Sequence, residues 1–226
     1  ARLLDQPLDL EQLQNAATTV AQTYRNNGFF ARAYLPEQDI EQGVITIHIV
    51  EAVFGGIQFD GSNNPKRIGT EQIQALFDGQ IKPGDKLAQK QLERALLLSD
   101  DLQGVSVAGA LAEGDVGGQT VMKVKLTDSP FIAGDVTADN TGSRATGNHR
   151  ALANVQVNSP ARLGDQINLL ALVSEGSRYG RAAYTVPLGN DGWRVGVNAS
   201  AMNYKVITHD VPNDLRGTSN VVGLEG

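Results

Sequence analysis

The sequence predicts an α+β class of small modules followed by antiparallel strands. Three observations carry this. An amphipathic helical stripe and two strands open the chain. A β-α-α-β-β succession follows and repeats the end of that pattern. After Pro130 every ordered segment alternates with a period of two. The pivotal stretch runs from Phe131 to Asp165 and reads as two strands, a polar glycine-bearing loop and a tight turn. In Ala151–Asn158, Ala151, Ala153, Val155 and Val157 share one face, and Leu152, Asn154, Gln156 and Asn158 the other. Such a two-faced sheet is either half of a soluble antiparallel sheet or a membrane-barrel hairpin with a polar lumen.

The elements follow in order. Pro7-Leu8-Asp9 begins a helix, with Asp9 as its cap and Gln12 completing a capping box. Leu10, Leu13, Ala17, Val20 and Tyr24 form its apolar stripe, and Asn26-Asn27-Gly28 ends it. Phe29–Leu35 reads as a short strand, 36–43 as a polar connection, and Val44–Glu51 as a strand with Ile45, Ile47 and Ile49 on one face. This α-β-β unit matches the last three elements of the next one, so the chain is expected to hold an internal repeat whose first copy is clipped. In the second unit, Gly56–Gly61 is a strand and Thr70 opens a helix bearing Ile73, Leu76 and Phe77. Leu87–Leu102 is a longer helix, and Val105–Leu111 and Thr120–Leu126 are strands. Beyond the pivotal hairpin, strands are expected at Gln166–Ser174, Arg181–Leu188 and Trp193–Val206, about five in all. Short turns alternate with longer polar loops, as in outer-membrane barrels. Trp193 and Tyr184 are candidates for an interfacial belt, with a mid-membrane position the alternative for Tyr184.

Composition narrows the chemistry. The net charge of −6 and the absence of a basic stripe argue against nucleic acid as a partner. There is no cysteine, so no thiolate site, disulfide framework or cysteine nucleophile. No pair among His48, His149 and His209 has metal-ligand spacing. Asp100-Asp101 and Asp135 with Asp139 are carboxylate pairs without an adjacent base or nucleophile. Gly114, Gly117 and Gly118 do not lead from a strand into a helix, so they form no phosphate loop. No catalytic residue, metal, cofactor or small-molecule substrate is expected. No apolar run reaches about 18 residues, a test that barrel strands escape.

Leu8-Asp9-Leu10, Ala16-Ala17, Tyr24-Arg25-Asn26-Asn27-Gly28-Phe29, Arg32-Ala33-Tyr34-Leu35-Pro36, Gln38-Asp39-Ile40 and Gly43 together resemble the first POTRA domain of two-partner-secretion transporters. The resemblance to these TpsB proteins, of the haemolysin-activator and filamentous-haemagglutinin-transporter type, continues in Glu93-Arg94-Ala95-Leu96-Leu97-Leu98 and in Asp139–Arg144, Thr146-Gly147 and Arg150. It extends to Asn158-Ser159-Pro160 and Leu163-Gly164-Asp165, where Ser159 is extra to the family pattern. The resemblance implies periplasmic POTRA domains followed by an antiparallel outer-membrane β-barrel. Here that means a partial first POTRA domain at 1–52, a second at 53–128, and barrel strands at 129–226, too few to close. It also implies a secreted TpsA-type exoprotein as partner, engaged through its N-terminal secretion domain, and outer-membrane lipid around the barrel. A BamA-like assembly factor, or a POTRA-barrel carrier of a fused enzyme, is the alternative.

The proposed mechanism is strand addition at a free POTRA edge. Phe29–Leu35, with Arg32 and Tyr34, and Val105–Leu111 are the expected edges. The main contact is expected at Gly104, Val105, Ser106, Val107 and Ala108 with the helix bearing Ile73 and Phe77, and Val107→Pro should block binding while leaving the fold intact. Arg144, Arg150 and Arg181 are expected either to enter the lumen and meet Asp135 or Asp139, or to stay in water at loop ends. Removed from its barrel, the hairpin at 131–165 has unpaired edges that invite another chain.

Overall fold

The structure, a computed structural model, describes residues 8–38, 43–61, 65–208 and 215–226. Pro7, Asp39–Gln42 and His209 with the loop around it lie outside the described residues. Packing groups the chain into two compact units. One comprises 1–61, 74–97 and 108–125; the other comprises 62–73, 98–107 and 126–226.

The first unit opens with α1 (Leu10–Asn26), whose capping box is present. Gln12 N–H donates to Asp9 Oδ1 at 2.7 Å, and Asp9 N–H donates to Gln12 Oε1 at 3.0 Å. Gly28 takes the left-handed φ of 81° that ends the helix. β1 (Ala31–Tyr34) and β2 (His48–Glu51) pair antiparallel, with Ala31 opposite Glu51 and Tyr34 opposite His48. The strand expected from Val44 begins only at His48, because its partner ends at Tyr34. Ahead of the ladder the Gln38 amide substitutes for a strand: it accepts from Thr46 N–H at 2.7 Å and donates to Thr46 O at 2.9 Å.

β3 (Val53–Phe59), α2 (Thr70–Gln80), α3 (Gln89–Asp100), β4 (Val105–Glu113) and β5 (Gln119–Asp128) realise the β-α-α-β-β pattern. The strand order is β3-β5-β4, with β3 parallel to the central β5. A register shift between Phe54 and Ile57 falls on Gly55-Gly56, where a Cβ on Gly55 would stand 3.0 Å from Val121. Phe54, Phe77, Ile81, Leu87, Ala95 and Val124 are buried and form the core of this unit. Burying each of the large ones contributes about 1.5–3 kcal/mol.

The second unit holds a meander of β6 (Ile132–Asp139), β7 (Arg150–Asn158), β8 (Gln166–Ser174), β9 (Ser177–Leu188), β10 (Trp193–Lys205) and β11 (Arg216–Glu225), paired in sequence order. The sheet is six-stranded, one strand more than expected. β9 also begins at Ser177, ahead of the expected Arg181, because Gly176 makes the reversal. The register fixes two faces. One carries Val136, Val155, Leu169, Val173, Leu188, Trp193, Val195, Val197, Val222 and Leu224, all exposed. The opposite face carries Asp135, Asp139, Arg150, Asn154, Gln156, Asn168, Arg181, Asn198 and Glu225. An exposed apolar face this wide on a polar-backed meander is the pattern of strands with lipid outside and lumen inside.

Candidate functional site

β4 stands at an edge of its sheet. Its N-terminal half differs from the expected contact surface. Val105, Val107, Ile73 and Phe77 are buried, Phe77 completely, so their side chains support the fold rather than meet a client. Ser106 and Ala108 are exposed and Gly104 is buried. The Val107 N–H, pointing away from β5, is already taken by the Asp100 carboxylate at 2.7 Å, and Ser106 Oγ reaches the same oxygen at 3.3 Å. Strand geometry gives alternate residues the same outward direction, so Gly109 and Leu111 turn N–H and C=O off the sheet. Gly114 N–H, of the other parity, bonds inward to Gln119 O at 2.9 Å.

The C-terminal half of β4 borders a cleft of about 680 Å³, lined by Arg25, Arg32 and Tyr34 on one side and Leu111, Glu113 and Thr120 on the other. Arg32 lies over the Tyr34 ring at 5.8 Å, and Tyr34 meets His48 edge-on at 5.8 Å. The structure therefore brings Arg32 and Tyr34 to Leu111–Glu113. On the same unit, Lys86 pairs with Glu51 at 2.7 Å, and this hydrogen bond raises the lysine pKa above its ordinary value.

The charges on the polar face of the meander sort themselves. Arg150 Nε donates to Asp139 at 2.8 Å, across the end of the β6–β7 ladder. Arg181, expected either to meet Asp135 or Asp139 or to stay in water, instead pairs with Glu225 at 3.3 Å. Strand order explains this: β11 is two strands from β9, whereas β6 is three away. Asp135 is exposed opposite Asn154, and Arg144 is exposed in the β6–β7 loop. Asn168 donates to Asn154 at 3.2 Å and Gln166 to Asn158 at 3.0 Å, giving a polar ladder along the face.

A further cluster, within the second unit, gathers at the β7–β8 turn. The Asp165 carboxylate is fully buried. It accepts from Ala161 N–H at 3.1 Å, Leu163 N–H at 3.2 Å and the Tyr184 hydroxyl at 2.9 Å. Ser159 is buried at φ 53°, and its Oγ accepts from Gly164 N–H at 3.0 Å. The turn is tied to the chain preceding β4 and to β10. Gln72 donates to Leu163 O at 2.8 Å, Gln166 to Gln103 at 3.0 Å and Arg194 to Gly164 O at 3.0 Å. Arg67 stacks over the Phe131 ring at 3.8 Å. Tyr184, read as a belt residue, thus spends its hydroxyl on Asp165, whereas Trp193 is exposed on the apolar face. Among the described residues no group of His, Asp and Glu is placed to hold a metal ion.

Residues 1–52 match the family model of the POTRA domain, ShlB-type, and residues 118–225 that of the haemolysin secretion/activation protein ShlB/FhaC/HecB. The heme/hemopexin transporter protein HuxB of Haemophilus influenzae (strain 86-028NP) is 28% identical over 202 residues, which is 88% of this chain and 35% of that protein. The outer membrane transporter CdiB of Escherichia coli O6:K15:H31 (strain 536 / UPEC) is 26% identical over 163 residues, 72% of this chain and 27% of that protein. The chain thus spans well under half the length of the curated relatives it matches. The solved structure of CdiB from Escherichia coli shares the fold, with a TM-score of 0.72 at 22% identity over 96% of this chain and 40% of that one. BamA from Haemophilus ducreyi lacking POTRA domains 1–3 is a more distant neighbour in fold, with a TM-score of 0.55 at 14% identity over 95% of this chain and 41% of that one. The matched family and these named relatives are secretion proteins and transporters rather than enzymes. Residues 1–52 thus carry the sequence pattern of a ShlB-type POTRA domain and residues 118–225 that of the ShlB/FhaC/HecB haemolysin secretion/activation proteins, and the chain shares the fold of CdiB, whose curated relative is an outer membrane transporter.

Proposed function

We propose that this chain belongs to a protein translocator, without enzymatic activity of its own, that passes a secreted exoprotein through an outer-membrane barrel. Its modules divide near residues 52 and 128, and the POTRA part captures the exoprotein's N-terminal secretion domain before handing it to the lumen. The observation that carries this reading is the free outward edge of β4 beside the Arg32–Tyr34 cleft, in a chain whose later strands face lipid. An extended client adds a strand at Gly109–Glu113, where backbone bonding tolerates varied sequence and the cleft takes side chains. Val105 and Val107 hold that edge from beneath, and Ile73 and Phe77 hold α2. The polar ladder, with Arg150–Asp139 and Arg181–Glu225, gives the client a wetted path.

Val107→Pro does not test this cleanly, because it removes the Asp100 bond and disturbs a buried residue. Leu111→Pro does: Leu111 is exposed, and an edge strand tolerates proline where the lost N–H faces outward. In the full-length transporter co-expressed with its exoprotein, Leu111→Pro should cut exoprotein in the medium about tenfold, the equivalent of one lost ladder bond. Leu111→Ala should leave most secretion intact, and heat-modifiable migration of the barrel should be unchanged in both. Normal secretion by a correctly folded Leu111→Pro transporter would exclude this edge.

A further inference from the structure

The lipid-facing side of β9, β10 and β11 ends in a cluster of cations. In register, Arg178 faces Asn203, which faces Thr218; one step further, Lys205 faces Arg216. Strand parity places all five on the apolar face, and all five are exposed. They lie at the end of the sheet with the longer loops, away from Trp193 and the tight turn at 189–192. Arg178 and Arg216 stand on strands two spacings apart, about 10 Å, within reach of one anionic group for side chains of that length.

Below the cations the surface changes character. Gly180, Ala182, Ala199 and Ala201 lie side by side, with Ala201 opposite Gly180 and Ala199 opposite Ala182. A Cβ on Gly180 would meet nothing within 4 Å, so the surface there is open. Val173 and Val222, both exposed, stand on either side of this flat strip. From Trp193 to the level of Asn203 is ten residue steps, about 33 Å along the strand. At a tilt of about 40° that is about 25 Å along the membrane normal, the height of a barrel's apolar band. Trp193 and the cations therefore mark the two interfaces, and the cations meet the headgroups of the outer leaflet.

We infer that Arg178, Lys205 and Arg216, with Asn203, bind the phosphates of a phosphorylated glycolipid of the outer leaflet, whose acyl chains lie on the Gly180–Ala182–Ala199–Ala201 strip. This rests on the reading of the apolar face as lipid-facing. Charge complementarity selects an anionic headgroup, guanidinium groups suit phosphate, and the small-residue strip suits several parallel chains.

The test uses the full-length transporter, purified from outer membranes and placed in phosphatidylcholine nanodiscs. Binding of fluorescent bisphosphoryl lipid A is titrated against its dephosphorylated form and against phosphatidylglycerol. Wild-type protein should prefer bisphosphoryl lipid A over both. The triple variant Arg178→Ala, Lys205→Ala, Arg216→Ala should bind it about tenfold or more weakly, since each cation near an anionic headgroup counts separately. Ala201→Phe, which fills the strip, should weaken binding several-fold and keep the phosphate preference. Equal binding by the triple variant, or equal binding of lipid A and phosphatidylglycerol, overturns the inference. Recovery of the protein outside the outer-membrane fraction, or loss of heat-modifiable migration in wild type, overturns the lipid-facing reading itself and so fails in a distinguishable way.

Discussion

Asp165→Ala in the full-length transporter is expected to lower the stability of the barrel by about 3 kcal/mol, the cost of stranding several buried donors at once. The carboxylate is fully buried and bonds two main-chain N–H groups and the Tyr184 hydroxyl. Its own main-chain carbonyl accepts from Ser159 N–H at 2.7 Å. Within six residues the turn holds Ser159 at φ 53°, Arg162 at 64° and Gly164 at 74°. Two of these are residues that resist the left-handed region, so the conformation persists only because the hydrogen bonds over-determine it. Asp165→Asn keeps one acceptor oxygen and Tyr184→Phe removes one hydroxyl, so each should cost about 1 kcal/mol. Urea midpoints of heat-modifiable migration order the three variants. Equal midpoints for Asp165→Ala and Tyr184→Phe would mean that the N–H bonds of the turn contribute little.

Much of the architecture was legible in the residues because periodicity and termini are local properties. Asp9 and Gln12 three apart, and Gly28 after Asn26-Asn27, specified α1 without reference to the rest of the chain. The two faces of β7 and β8 follow from alternation, and the ladder preserves them. What was missed depends on partners. Val44–Ile47 has strand composition but no strand opposite it, since β1 stops at Tyr34. β11 is hidden because Gly217, Thr218, Ser219 and Asn220 read as a loop, yet they pair with Tyr204–Ala201 of the long β10.

The candidate site shows the same division. That β4 is an edge follows from the order of the module. That its Val107 donor is occupied depends on Asp100, seven residues earlier and across a helix end. Alternation predicted polar side chains inside the meander, and Arg150 found Asp139 because those residues flank one hairpin. Arg181 found Glu225 because strand order, not sequence distance, decides which charges meet. The turn at 158–165 was legible as a tight turn, but its hydrogen bonding was not. Nothing local in the sequence couples Tyr184 to Asp165 or Arg67 to Phe131.

Gly104→Ala should cost about 2–4 kcal/mol, combining a left-handed backbone with overpacking. Gly104 has φ 96°, and a Cβ there would stand 2.8 Å from Ser159 Cβ and 3.3 Å from Arg67 Cβ. Its carbonyl also accepts from Ser129 N–H at 3.1 Å, at the entry to the meander, so the backbone cannot simply shift away. The two contributions separate in a double-mutant cycle with Ser159→Gly. That change removes the clashing Cβ and relieves Ser159's own positive φ, but it gives up the Oγ bond to Gly164. If the Ser159 contact matters, the double variant should recover about 1 kcal/mol or more relative to the sum of the single changes. Additivity would assign the cost of Gly104→Ala to its backbone conformation and to the Arg67 contact. The extra Ser159 would then be a capping hydroxyl for the turn, and Gly104 would be needed whatever residue faces it.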